Sequence, residues 1–268
     1  VFCFAAGNAG SSAGTVGSPG SAKNVITVGA AENVHSHSTA NGGNSGSGND
    51  GCDTPDSEAN SAADIASFSS RGPCSDGRQK PELVAPGTHV TGGVGQSILT
   101  TSGTGTALSC FEGSGVCALP GGGTVGSPNN FFPLGQQFYS TSSGTSHSTP
   151  GVAGACALLR QYFINAALTP PSPAMTKAFL VNSARYMTGT SAGDTLPSPN
   201  QGMGGVNLGT AFDGVARVLQ DQETLEKFTA SGQTRTVRGS VVDSGKPFRV
   251  TLAWTDAPGS TTGNAYNN

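Results

Sequence analysis

The chain predicts an α/β fold, a parallel sheet flanked by helices, followed by an incomplete antiparallel β-sandwich. Three features carry that expectation. VFCFAA (1–6), VITVGA (25–30) and LVA (83–85) are short apolar runs bounded by Gly- or Pro-rich turns, as expected for strands covered on both faces. From about Thr145 the apolar positions Val152, Cys156, Leu159 and Phe163 recur at three and four residues, which predicts a helix with one buried face. After about residue 220, TRTVRGSVV and KPFRVTLAW alternate apolar and polar residues, the pattern of antiparallel strands with one solvated face.

The elements follow in order. The first strand is already under way at Val1, so an upstream segment of the same protein is expected to complete the domain. Residues 31–64, rich in Ser, Asn, Gly and Asp, read as a long surface loop. Pro86-Gly87 stops the third strand. Residues 91–137 lack periodicity and read as a surface insertion. Ala174–Tyr186 is a second helix behind a Pro-Pro-Ser-Pro start signal, and Val206–Leu219 a third. One domain over 1–217 and the start of a β-sandwich over 218–268 is the expected organisation.

Composition narrows the function classes. A net charge of −3 with no basic run argues against nucleic acid, whose phosphates need clustered Lys and Arg. No apolar stretch approaches the roughly 18 to 20 residues of a membrane helix. Only 11% of residues are charged while Gly, Ser and Thr abound, so solubility rests on hydroxyls and backbone, as in an extracellular, secreted protein. Six cysteines in such a chain point to disulfides. Cys110 and Cys117 bracket a short Gly-Ser loop and Cys52 and Cys74 lie in turn-rich sequence, so these are the expected pairs. Cys3 and Cys156 sit in apolar segments and read as buried thiols.

Ser146 and His147 stand side by side where the polar stretch YSTSSGTSHSTP becomes the apolar GVAGACALLR. A serine hydroxyl needs a base and waiting oxyanion donors before it is a useful nucleophile. Gly144 permits an unusual backbone and Thr145 can cap the helix that follows. That helix aims its unpaired N–H groups and positive end at Ser146. A Gly-Thr-Ser taken alone is equally the N-cap of a helix.

The whole string resembles a known pattern. SGTSHSTPGVAG matches the nucleophile motif of the subtilisin-like serine proteases (subtilases, peptidase S8) at Gly144, Thr145, Ser146, Ser148, Pro150, Ala153 and Gly154. FAAGNAG (4–10) looks like the family's oxyanion-hole segment, and that match carries the oxyanion asparagine onto Asn8. GTVGSPGSAKNVITVGA (14–30) is similar to the floor of the primary specificity pocket. The resemblance implies that Ala5, Ala6 and Gly7 line its wall and Gly17 its base. FSSRGPCSDGRQKPELVAPG (68–87) is similar to the stretch between oxyanion asparagine and serine, and VTLAWTDAPGS to the opening of a β-sandwich that follows some bacterial catalytic domains. The similarity covers residues 1 to about 217 and implies a subtilisin-like sheet, a serine endopeptidase acting through an acyl-enzyme, and protein or peptide substrates.

The family's Asp and His-Gly-Thr-His blocks belong upstream of the oxyanion asparagine, and neither is in this sequence. None of His35, His37, His89 and His147 has a matching context. His147 is one helical step, about 100°, from Ser146, which directs its ring away. His35 and His37 with Asp50, Asp53 and Asp56 form a conceivable base or metal cluster, with solvated loop residues the simpler reading. The expectation is therefore a segment inactive alone. The alternative is a non-catalytic subtilase-like binding domain with Ser146 kept as a cap. An α/β-hydrolase esterase needs Gly-x-Ser-x-Gly, which position 148 breaks. No cofactor is expected for the chemistry and no metal ligands are singled out. Structural calcium fits the resemblance, with no carboxylate spacing that specifies a site.

Overall fold

A computed structural model describes residues 1–42, 48–50, 52–93, 132–133, 136, 138–193, 195–222, 228–241, 243–245 and 248–256. Its centre is a three-stranded parallel sheet in the order β1 (Cys3–Ala5), β2 (Ile26–Ala31), β3 (Leu83–Pro86). The register sets Cys3 opposite Ile26 and Val28 opposite Leu83. All six residues of β2 are buried, which is why its sequence runs apolar and small without alternation.

Helix α1 (Thr145–Asn165) lies across this sheet and buries Thr145, Ser148, Val152, Ala155, Leu159 and Phe163, a stripe spaced by three and four. Val152, Ala155, Leu159 and Phe163 meet Ile26, Val28, Leu83 and Ala85, then Met175, Phe179 and Leu180 of α2 (Pro173–Ser183), to form the main core. Ser172 caps α2 by accepting from Met175 N–H, with Pro173 at the first helical position, as the start signal predicts. The third predicted helix shrinks to α3 (Leu208–Ala211). Asp213 Oδ1 takes the Val215 N–H and Gly214 turns into the left-handed region, so the helix cannot continue.

An antiparallel ribbon, β4 (Val90–Gly93) with β5 (Tyr139–Ser142), closes the two ends of the predicted insertion and leads into α1. Most of that insertion, Cys110 and Cys117 included, lies outside the described residues. No helix among the described residues is long and apolar enough to cross a membrane. The described part of 218–268 contains no paired strand, and Phe248, Val250, Leu252 and Trp254 are exposed along it. It is tied to the rest through Arg249 Nη1, which donates to the Asn182 and Ala184 carbonyls, and through Asp256, which meets Lys23 and Asn24.

Two expectations are corrected. The Cys52–Cys74 pair does not form: Cys52 is disulfide-bonded, whereas Cys74 is a free, buried thiol. Cys74 sits in a tight turn whose N–H bonds the Arg78 carbonyl, while Cys52 Sγ packs against Ser142 and Ser143. Residues 31–64 are not a solvated loop throughout, because His37 and Asp50 are buried with His89 behind β5. Asp50 and His89 bond to backbone amides and carbonyls there, so hydrophilic composition and burial coexist.

Candidate active site

Ser146 is the second residue of α1 and its side chain is exposed. Gly144 precedes the helix with φ 155° and ψ 155°, a conformation essentially restricted to glycine, and a Cβ there would meet Asn8 Nδ2 at 3.3 Å. The chain approaches this turn along Ser142–Ser143 and is fixed by a Gly144 N–H to Gly87 carbonyl bond of 2.8 Å.

Thr145 does not cap the helix with its own side chain. Its N–H and hydroxyl both donate to Asn8 Oδ1, at 2.9 and 2.8 Å, and its oxygen accepts from Gly7 N–H at 3.3 Å. Asn8 thus caps α1 from another segment of the chain. With Oδ1 committed to two donors, the amide nitrogen must face the opposite way, over Gly144 beside Ser146. The Ser146 backbone N–H belongs to the first turn of the helix, whose amides have no intrahelical acceptor. Asn8 Nδ2 and this N–H are two donors at one helix N-terminus, where the macrodipole also favours negative charge.

The loop that carries Asn8 is braced by the segment Phe68–Arg71. Ser70 N–H donates to the Gly7 carbonyl, Ser70 Oγ accepts from Ala9 N–H, and Gly10 N–H donates to the Phe68 carbonyl. The guanidinium of Arg71, a residue 3% exposed, donates to the carbonyls of Ser69, Ser191 and Ala66, and burial holds it below the usual guanidinium value. No periodicity in the sequence marks this brace, and the resemblance at FSSRGP placed the segment between Asn8 and Ser146 without assigning it that role.

Beside Asn8, Ala6 N–H continues the pairing with β2 at the Val28 carbonyl, and the Ala6 carbonyl accepts from Gly17 N–H at 3.1 Å. Ala5, Ala6 and Gly7 are therefore brought against the turn containing Gly17. A Cβ on Gly17 would meet nothing within 4 Å, so that side is open. A cavity of about 220 Å³ lined by Glu32, Asn33, Arg185 and Met187 shares no residue with this cluster.

None of the four histidines is hydrogen-bonded to Ser146. His147 Nε2 meets Ser142 Oγ at 2.7 Å, and burial lowers its pKa despite a counteracting field from Asp50. His89 is fully buried, with Nδ1 2.7 Å from the His35 carbonyl and Nε2 2.8 Å from the Thr54 carbonyl. His37 is also fully buried, and neither ring nitrogen has a partner. Asp50 accepts from Ser143 Oγ–H and from the Cys52 and Thr54 amides, and Asp56 from Ser36 Oγ–H and His37 N–H. Asp53 Oδ1 accepts from Asn49. This cluster supports the strand entering the Ser146 turn, a role missed in the sequence because its links to that strand, Asp50 and the His89 N–H to Ser143 Oγ, join residues 93 and 54 positions apart. Among the described residues no three His, Cys, Asp or Glu side chains are grouped to hold a metal ion.

The Subtilase family model (peptidase S8) matches residues 1–204. The serine protease AprX of Bacillus subtilis (strain 168) is 32% identical over 177 residues, which are 63% of this chain and 27% of that protein. The serine protease/ABC transporter B family protein tagD of Dictyostelium discoideum is 32% identical over 147 residues, 50% of this chain and 7% of that protein. The chain thus spans well under two thirds of these relatives. Of solved structures, the prenylagaramide maturation protease PagA is 22% identical with a TM-score of 0.43, over 80% of this chain and 50% of that one. Fervidolysin from Fervidobacterium pennivorans is 22% identical with a TM-score of 0.42, over 80% and 22%. With the family match running through the Asn8 loop, the Phe68–Arg71 brace and the Ser146 helix, this chain belongs to the subtilase family of serine proteases.

Proposed function

We propose that residues 1–217 are the C-terminal part of the catalytic domain of a secreted serine endopeptidase, with 218–268 opening a β-sandwich. Ser146 Oγ attacks the scissile carbonyl of a protein or peptide substrate, and the carbonyl π electrons move onto oxygen. The Ser146 N–H and Asn8 Nδ2 hold that oxyanion until collapse expels the amine and leaves the acyl-enzyme. Ala5, Ala6, Gly7 and Gly17 border the P1 side chain. A histidine supplied by an upstream segment takes the Ser146 proton and returns it to the leaving amine, while an aspartate of the same segment orients the ring and stabilises its charged form. Calcium, where it acts, is structural; melting with and without chelator reads its contribution.

The observation that carries this reading is the double donation from Thr145 to Asn8 Oδ1, which leaves the Asn8 amide nitrogen over Gly144, two residues before an exposed Ser146. The test is hydrolysis of an unfolded protein substrate by the chain extended upstream through the Asp and His blocks. Cleavage lost in Ser146→Ala supports the assignment. A well-folded extended protein that cleaves nothing, or whose cleavage survives Ser146→Ala, overturns it in favour of a binding domain or another nucleophile.

A further inference from the structure

Cys3 in β1 and Cys156 in the middle of α1 are free thiols whose Sγ atoms stand 4.0 Å apart, although 153 residues separate them in sequence. Both are half-buried and pack against the edge of the main core. The remaining free thiol among the described residues, Cys74, is buried, and burial pushes its pKa up. The three therefore differ in kind: two touching thiols and one inert one.

We propose that Cys3 and Cys156 are a redox-active pair that closes reversibly into a disulfide clasp between β1 and α1. The oxidant is a small-molecule disulfide of the glutathione class. Cys3 thiolate attacks one of its sulfurs, forming a mixed disulfide and expelling one thiolate. Cys156 gives its proton to solvent and attacks the Cys3 sulfur, forming the protein S–S bond and expelling the second thiolate. Two protein thiols are oxidised, one external disulfide is reduced to two thiols, and the two protons end on the leaving sulfurs.

The clasp itself rests on the 4.0 Å approach of the two sulfurs, and only the order of attack on their asymmetry. The contact with Cys156 holds Cys3 below the usual thiol range, with burial opposing. The same contact, and then burial, pushes Cys156 up. The sulfurs must close by about 2 Å to bonding distance. The clasp lies five residues before Asn8 and ten after Ser146, so it ties together the two elements that carry the proposed oxyanion donors. Only this consequence rests on the proposed function; the thiol chemistry is independent of it. Because the closed loop is long, the clasp restricts the unfolded chain strongly.

The chain is equilibrated at a series of reduced-to-oxidised glutathione ratios, free thiols are alkylated, and the digest is analysed by mass spectrometry. A peptide joining Cys3 to Cys156, lighter by two hydrogens and lost on adding a dithiol reductant, is the expected product. It is accompanied by a melting temperature about 5–10 °C above the reduced form. Cys156→Ser should trap the glutathione adduct on Cys3 with no such rise. The proposal is overturned if both thiols alkylate freely at every ratio, if each ends as a separate glutathione adduct, or if Cys74 oxidises as readily. The wild-type peptide map decides even if the variant fails to fold.

Discussion

Asn8 holds two parts at once: its oxygen takes the Thr145 N–H and hydroxyl, and its nitrogen lies over Gly144, two residues before Ser146. The two parts separate by substitution. Asn8→Asp keeps the acceptor and loses the amide donors, so stability should change little while the upstream-extended enzyme loses about 10²–10³ in kcat. Asn8→Ala removes the acceptor as well and should cost in addition about 1 kcal/mol of stability by urea unfolding. An Asp variant that keeps full kcat contradicts the donor assignment. His37 gives a second residue-scale test. Its buried, unpartnered ring lies 4.7 Å from Phe132 between centroids, so His37→Leu should raise stability by about 1 kcal/mol. Ser146 and Asn8 stand out in the sequence because a motif names them. His37 and His89 were not, since histidines in a polar stretch look solvated until the chain folds over them.

Among the elements, α1 was the most legible, because a stripe at three- and four-residue spacing survives in the structure almost unchanged. What the stripe does not reveal is how closely the helix N-terminus approaches the sheet. Gly87, just after β3, leaves no room: a Cβ there would overlap Ser148 Oγ and lie 2.7 Å from Ala30 Cβ. Gly87→Ala should therefore push the Ser146 turn off the sheet and cost about 1–3 kcal/mol, read as a lower urea midpoint at an unchanged slope. The strand order and the burial of residues 31–64 were illegible for a related reason. The first is set by pairings such as Val28 with Leu83, the second by hydrogen bonds such as Glu32 N–H to the Asp64 carbonyl, and neither leaves a local period. The alternating runs after residue 220 show the converse, a strand pattern without a paired strand among the described residues.

Across the whole molecule, buried charge and buried histidine set the response to conditions. Lys80, 2% exposed at its side chain, and Lys177 both meet Glu82 Oε1, at 2.7 and 2.6 Å, while Glu82 Oε2 accepts from Thr27 N–H. Burial lowers the Lys80 pKa and Glu82 opposes that shift. Glu82→Gln leaves the ammonium uncompensated and should cost about 3 kcal/mol in urea unfolding. The pH response has a definite sign. His37 and His147 are both held below the ordinary value of 6.5, first by burial, so below that pH the unfolded chain binds protons that the folded one refuses. Stability therefore falls as pH drops through 6.5 toward the folded values, by at most about 1.4 kcal/mol per unit for each histidine. Asp56 extends the loss: burial alone would raise it, but the His37 N–H and Ser36 hydroxyl bonds hold it below 3.8. Its contribution is present above that value and disappears as pH falls through the folded one. Urea midpoints at pH 7, 6 and 5 should decline in order; a flat series contradicts the histidine assignment. The central claim is that Ser146 is the nucleophile proposed above, with Asn8 as an oxyanion donor, and that it has no base among the described residues. Its most direct test is the rate at which a serine-directed phosphonate labels the isolated 268-residue chain, with Ser146→Ala as blank. Labelling no faster than that blank is expected, and rapid stoichiometric modification of Ser146 would contradict the account.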